Sequence, residues 1–239
     1  MASVKHRYIA GNRVYYSGNN YKSLYGAVGP DVIQMFDDFV QPMTVSSDTL
    51  DGWTTTLVEA GAGESTVTLS DASGGVLLLT TDAAENDGIN LQKLGEAFSF
   101  STSQSAVYFG IRLKASEATQ SDFCVGLCIT DTDLLGGMTD GVYFEKVDGA
   151  TGISFTTEKD STETQTDNCA TFAADTYVLL EFYYDGASVE AFIDGTSVAS
   201  HTTNIPDDEL LTPSIQFLAG SAGAKTLSVD WIRAIQIGR

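Results

Sequence analysis

The stretch Thr176–Ser200, TYVLLEFYYDGASVEAFIDGTSVAS, constrains the fold more than any other part of the chain. Val178, Leu180, Phe182 and Tyr184 alternate with Tyr177, Leu179, Glu181 and Tyr183. A period of two places each set on one face of a β-strand. Asp185-Gly186 interrupts the run, because glycine accepts the positive φ of a tight hairpin. Val189, Ala191 and Ile193 resume the period with Glu190, Phe192 and Asp194 opposite, and Asp194-Gly195 turns the chain again. The stretch is predicted as a three-strand meander, apolar on one face and mixed on the other.

The rest of the chain repeats this pattern. Strands are predicted at Trp53–Glu59, Thr66–Ser70, Val76–Thr81, Ile89–Leu94 and Phe98–Thr102. Val107, Phe109, Ile111 and Leu113 define another, and Phe123, Val125, Leu127 and Ile129 a further one with Cys124, Gly126, Cys128 and Thr130 on its second face. Val142–Val147 and Ile153–Thr157 read as a hairpin across Asp148-Gly149, and Ser214–Ala219 and a strand through Leu227, Val229 and Trp231 close the chain. Only Asp207–Leu211 reads as a helical turn. Many short strands, Asp-Gly turns and no amphipathic helix predict an all-β chain folded as an antiparallel β-sandwich or jelly roll.

Charge divides the 239 residues in two. Residues 1–30 contain Lys5, Arg7, Arg13 and Lys22 and no acid, a net of +4, so residues 31–239 hold the other 8 basic residues against all 32 acids, a net of −24. The boundary at Pro30-Asp31 separates an N-terminal arm (1–30) from a jelly-roll domain (31–239). An acidic body repels phosphate, so nucleic acid is not an expected partner. No apolar run approaches the roughly 20 residues of a membrane span, so no membrane partner is expected either. Met1–Gly11 carries no apolar core of a leader sequence. Three cysteines, two of them on one predicted strand and about 13 Å apart, are read as reduced thiols.

The arm contains Tyr8, Tyr15, Tyr16, Tyr21 and Tyr25, separated by Gly, Asn and Ser with no persistent period. Tyrosine offers contact area and a hydroxyl at low entropy cost. With Lys5, Arg7, Arg13 and Lys22 these tyrosines form the expected partner-binding set; the alternative is a tail packed on its own domain.

The opening FDDF at residues 36–39, a Trp some fifteen residues on, the FYYDGASVEAFIDGTSVAS meander and the closing LSVDWIRAIQ resemble the concanavalin A-like lectin/glucanase jelly roll, which includes laminin-G-like modules. The resemblance covers residues 36–237 and implies that the first and last strands lie together in one sheet. A basic, aromatic arm before such a domain resembles bacteriophage capsid decoration or cement proteins. That implies a structural virion protein, located in the virion and assembled in the host cytoplasm, with the major capsid protein or another virion protein as partner and a homo-oligomer expected. The alternative is a glycan-binding module of a phage fibre or surface protein.

Candidate chemistry is sparse. The hydrolases of that superfamily carry Glu-x-Asp-x-x-Glu, and Glu158-Lys159-Asp160-Ser161-Thr162-Glu163 matches it. On one strand such a spacing aligns an acid and a nucleophile about 5 Å apart. Here Lys, Ser and Thr fill positions that should face a core, so the segment reads as a solvated hairpin end and no enzyme is expected. Glu85-Asn86-Asp87-Gly88 reads as an Asp-Gly turn. Asp131, Asp133 and Asp140 are the candidate ligands for Ca²⁺, the one cofactor considered, although their spacing is not that of an EF-hand. His6 and His201 fit no zinc pattern. Trp53, Trp231, Tyr183 and Tyr184 are read as core aromatics rather than as the lining of a sugar site.

Overall fold

The computed structural model describes residues 31–40, 45–46, 49–58, 63–70, 72–101 and 106–237, together with the backbone of 5–9 and 12–16. In chain order the first strands are β1 (Lys5–Ile9), β2 (Asn12–Tyr16), β3 (Val32–Asp37), β4 (Val45–Ser46), β5 (Thr49–Leu50), β6 (Trp53–Val58), β7 (Thr66–Ser70), β8 (Val76–Thr80), β9 (Gly88–Lys93), β10 (Ala106–Ala115) and β11 (Ser121–Cys128). One helical turn, α1 (Leu134–Gly137), follows. Then come β12 (Gly141–Lys146), β13 (Gly152–Lys159), β14 (Thr162–Thr171), β15 (Val178–Tyr184), β16 (Val189–Ile193), β17 (Thr196–His201), β18 (Thr212–Ala219) and β19 (Thr226–Ile237).

Two antiparallel sheets face each other as a jelly-roll sandwich. The eight-stranded sheet runs β17-β16-β15-β10-β19-β8-β7, with β3 also on β19; the seven-stranded sheet runs β14-β13-β12-β11-β18-β9-β6. The opening β3 and the closing β19 pair from Ile232↔Asp37 to Ile237↔Val32, so the chain begins and ends its sandwich in one sheet.

The meander forms as its alternation dictates. β15, β16 and β17 pair in sequence, and Val178, Leu180, Phe182, Tyr184, Val189, Ala191 and Ile193 all enter the core. The second turn places Asp194 at φ 50° and Gly195 at φ 77°, the left-handed pair that a two-residue hairpin requires. Between the sheets, Phe182 stacks on Phe109 at 5.1 Å and meets Phe155 at 6.0 Å, Phe144 at 6.5 Å and Phe100 at 6.2 Å. Phe109 and Phe182 come from one sheet and Phe144 and Phe155 from the other, so this aromatic cluster joins the layers.

Four expectations are corrected. Of the strand predicted at Phe98–Thr102, the described residues 98–101 form no strand: Phe98 makes one antiparallel bridge to Leu211, and Phe98 and Phe100 are buried in the core. Asp207–Leu211 is not helical, because Lys159 ion-pairs with both Asp207 and Asp208 while Leu211 bridges Phe98; the helical turn is α1. β14 was not anticipated, since its residues are polar and largely exposed at a sheet edge. In the arm, which shows no persistent period in the sequence, β1 (Lys5–Ile9) and β2 (Asn12–Tyr16) pair antiparallel in register from Lys5↔Tyr16 to Ile9↔Asn12, helped by the strand preference of Tyr, Val and Ile. Among the described residues no helix is long and apolar enough to cross a membrane.

Candidate functional site

The outer face of the seven-stranded sheet carries the densest polar chemistry. On the central strand β11 that face presents Cys124, Gly126 and Cys128, which with Tyr143 pack under Leu134 and Met138 of the α1 segment. The segment is stapled to the sheet by three buried amides. Asn90 Nδ2 donates to the Asp131 carbonyl at 2.8 Å, and Gln92 Nε2 to the Ile129 carbonyl at 3.0 Å while its Oε1 accepts from Asp131 N at 2.9 Å. Gln216 Nε2 donates to Asp133 Oδ1 at 2.8 Å and its Oε1 accepts from Leu135 N at 2.8 Å. The side chains of β9 and β18 thus hold a loop across half of the face.

The other half is open and acidic. Tyr143 and Glu145 on β12, Glu158 on β13 and Glu163 on β14 meet in one cavity of about 250 Å³ roofed by residues 134–138. A second cavity of about 330 Å³, lined by Asp122, Asp133, Asp148 and Leu218, shares Leu135, Gly136 and Glu145 with the first. Together they make a groove passing beneath α1. Tyr143 Oη donates to Glu158 Oε2 at 3.0 Å. Glu145 Oε1 accepts from Gln165 Nε2 and, at 3.5 Å, from Thr156 Oγ1.

Removal from water dominates the electrostatics. Burial, then the nearby Glu163 carboxylate, pushes Glu145 up to about 7. Burial also raises Glu158, against the opposing effect of the Tyr143 hydrogen bond. The Tyr143 phenol and the Cys124 thiol are raised too, each first by burial, so neither ionises near neutral pH.

Several sequence candidates behave differently from expectation. Glu158 and Glu163 do not lie along one strand: Asp160 and Ser161, at φ 51° and 59°, turn the chain so that the two face each other across β13 and β14. The segment is a hairpin end as expected, but Glu158 is only 5% exposed and so is not solvated. Asp131, Asp133 and Asp140 do not converge as a Ca²⁺ ligand set. Asp131 Oδ1 accepts from Asp133 N, Asp133 from Gln216, and Asp140 Oδ1 from Asp160 N at the hairpin turn. Among the described residues no three His, Cys, Asp or Glu side chains are placed to hold a metal ion. Asp87 closes the turn from Ala84, receiving Ala84 N at 3.0 Å. Trp53 and Tyr184 are core residues as expected, whereas Tyr183 and Trp231, also expected in the core, lie half-buried on the outer face of the eight-stranded sheet, because they occupy the second phase of β15 and β19; none of the four lines the groove.

Of the expected arm set, Lys5, Arg7, Tyr8, Arg13, Tyr15 and Tyr16 sit on β1 and β2, and their side chains lie outside the described residues, as do Tyr21, Lys22 and Tyr25 altogether. Sequence reasoning missed Tyr143 and Glu145. Their signal was the second phase of the Val142–Val147 alternation, which a strand with one face on the core must turn outward.

Gly126 lets β12 lie close against β11. A Cβ there would stand 2.2 Å from the Val142 carbonyl oxygen and 2.6 Å from Tyr143 Cα, both backbone atoms that cannot swing aside. Gly126→Ala is expected to push β12 off β11, costing about 1 kcal/mol or more and displacing Tyr143. A denaturant midpoint equal to that of the unaltered chain would contradict this.

Comparison with known structures identifies the fold. The Bacillus licheniformis β-glucanase, 14% identical, aligns over 86% of this chain and 98% of its own with a TM-score of 0.60. The metal-free carbohydrate-recognition domain of Emp46p, 11% identical, aligns over 77% and 88% with a TM-score of 0.54. A protein of unknown function, SO2946 from Shewanella oneidensis MR-1, aligns over 87% of both chains at 13% identity with a TM-score of 0.59. These chains share the concanavalin A-like jelly roll. No curated protein matches the sequence. The family model described as SO2946-like, C-terminal domain, matches residues 72–230, and the chain belongs to that family.

Proposed function

We propose that the protein is a non-catalytic glycan-binding module whose groove beneath α1 receives an uncharged saccharide. The carrying observation is the convergence of Glu145, Glu158, Glu163 and Tyr143 in one cavity. Sugar hydroxyls are donors in search of acceptors, and carboxylates are the strongest acceptors a side chain offers. The same three carboxylates disfavour a sulfated or uronic-acid chain. Solved structures that share the fold include a β-glucanase and a carbohydrate-recognition domain, which supports reading the module as one that meets saccharides.

Catalysis fits the groove less well. A retaining glycosidase needs one ionised nucleophile and one protonated acid, so the two environments must drive the carboxyl groups apart. Here burial raises both Glu145 and Glu158. Glu158 is also tied to Tyr143 and Glu145 to Gln165. The test is titration calorimetry with a panel of neutral and anionic oligosaccharides. Binding of a neutral member is expected, weakened about tenfold or more by Glu163→Ala, since a hydrogen bond to a charged group contributes about 1.5–3 kcal/mol. Glu163 is exposed on an edge strand, so this variant leaves the core intact. Binding indifferent to Glu163, preference for anionic chains, or turnover of the oligosaccharide would each defeat the reading.

A second reading, a virion protein that decorates a phage head through residues 1–30, is favoured by one observation, the +4 against −24 division of charge. A body of that charge repels its own copies on a crowded surface, and a basic arm offsets the repulsion locally. Its test is attachment of the purified chain to heads that lack it. Failure to attach at low salt, where exposed ion pairs are strongest, would remove it.

A further inference from the structure

On the outer face of the eight-stranded sheet, opposite the core, Tyr108, Glu181, Ile235 and Ile237 are all 0% exposed. Ala106 and Phe192 join them, with Val32 and Tyr183 half-buried at the margin. These side chains are neighbours across the strands: Tyr108 pairs with Ile235 and with Tyr183, Glu181 with Phe192, and Ile237 with Ala106 and Val32. Tyr108 lies along the sheet over Gly110, where a Cβ would stand 2.4 Å from its hydroxyl, and donates to Glu181 Oε1 at 2.7 Å. An outward face of an outer sheet reaches zero exposure only when something lies on it. Among the described elements, α1 packs on the other sheet, and β4 and β5 meet β7 and β6 at the far edge of the sandwich.

We propose that the chain's own N-terminal segment, through the β1–β2 hairpin, seats on this face. The length and the point of attachment both fit. The patch crosses β3, β19, β10, β15 and β16, roughly 19 Å at the spacing of neighbouring strands, and a two-stranded hairpin of five-residue strands covers about 16 by 10 Å with its side chains reaching further. The segment joins the sandwich at Val32, which is itself part of the patch. A chain of the length of residues 17–31 can span at most about 50 Å, more than the patch requires. The seat is on the sheet opposite the groove, so an arm placed here leaves the proposed ligand side open. Anchoring to another protein through the arm requires it to leave this seat.

Two measurements on the full chain test the proposal. An isolated two-stranded hairpin is marginal in water, so slow amide exchange at residues 5–9 and 12–16 requires a surface beneath it. Protection of these amides is expected, at least about a hundredfold over the unstructured rate. In parallel, trypsin should cut slowly after Arg13 and Lys22 in the unaltered monomer, and about tenfold faster in Ile235→Asp or, at the rim of the patch, Phe192→Ser. Light scattering on the same samples should give a monomer. Exchange at the unstructured rate would overturn the proposal whatever the variants do. Equal cleavage of the unaltered chain and a folded variant would do so too, as would protection that vanishes on dilution together with a dimer mass, since the face would then hold another copy's arm.

Discussion

Phe182→Ala is expected to destabilise the protein by about 4 kcal/mol, within the usual range for deleting a buried phenylalanine. The size follows from its place. Its ring stacks on Phe109 and touches Phe144 and Phe155 of the facing sheet, so removing it opens a cavity between the layers and not merely within one. Strands on both sides are fixed by their ladders and cannot collapse into the space, so little of the loss is recovered by relaxation. Against a total stability of about 5–15 kcal/mol this is a large fraction. Chemical denaturation monitored by far-UV circular dichroism measures it. Leu94→Ala serves as control, because Leu94 is 65% exposed and its loss should stay within about 0.5 kcal/mol. A Phe182→Ala cost as small as that of Leu94→Ala would mean that the sheets are not joined through the aromatic cluster.

The same residues show what could be read from the sequence. The meander containing Phe182 was legible because both of its signals are local: a period of two and Asp-Gly at the reversals. β14 sends no such signal. TETQTDNCAT has few apolar residues because an edge strand needs none for burial, and its pairing with β13 comes from the Asp160-Ser161 turn. Phe98 and Phe100 misled in the opposite sense. Their alternation is real, but it buries two rings from a segment whose described residues, 98–101, make only the single bridge of Phe98 to Leu211. The four-residue α1 is too short to leave a periodic trace.

The groove was legible as residue types and not as a place. Glu158 and Glu163 stood out by their spacing, yet that spacing supposes one continuous strand, and two residues of positive φ convert it into a cross-strand pair. Tyr143 and Glu145 join them only through pairing of β12 with β13, a tertiary fact that no local pattern contains. Asp131 and Asp133 drew attention as metal ligands because the sequence shows carboxylates without the amides that engage them. Gln92 and Gln216, which receive that loop, lie some forty and eighty residues away.

Glu145→Gln is expected to stabilise the protein by about 2 kcal/mol at pH 8 and to leave it unchanged at pH 4. Unfolding returns this carboxyl to its ordinary value of 4.5, whereas in the groove it sits at about 7. Below pH 4.5 both states hold the proton and the group contributes no penalty. Between the two values the folded state binds more protons than the unfolded one, so stability falls as pH rises, and above about 7 the full penalty is present. An unscreened shift of that size corresponds to roughly 3 kcal/mol, which partial contact with solvent reduces to about 2. Glutamine removes the charge while keeping an oxygen to accept from Gln165 and Thr156, so the hydrogen bonds survive and the repulsion of Glu163 does not. Thermal melts of both proteins at pH 4 and pH 8 read the difference directly. A gain equal at the two pH values would mean that packing and not charge is responsible. No gain at pH 8 would mean that Glu145 is ionised there without penalty. If the gain appears and saccharide binding weakens in the same variant, then the strain of holding three carboxylates in one cavity is the cost at which the groove keeps its acceptors, a trade of stability for function that a purely structural face has no reason to make.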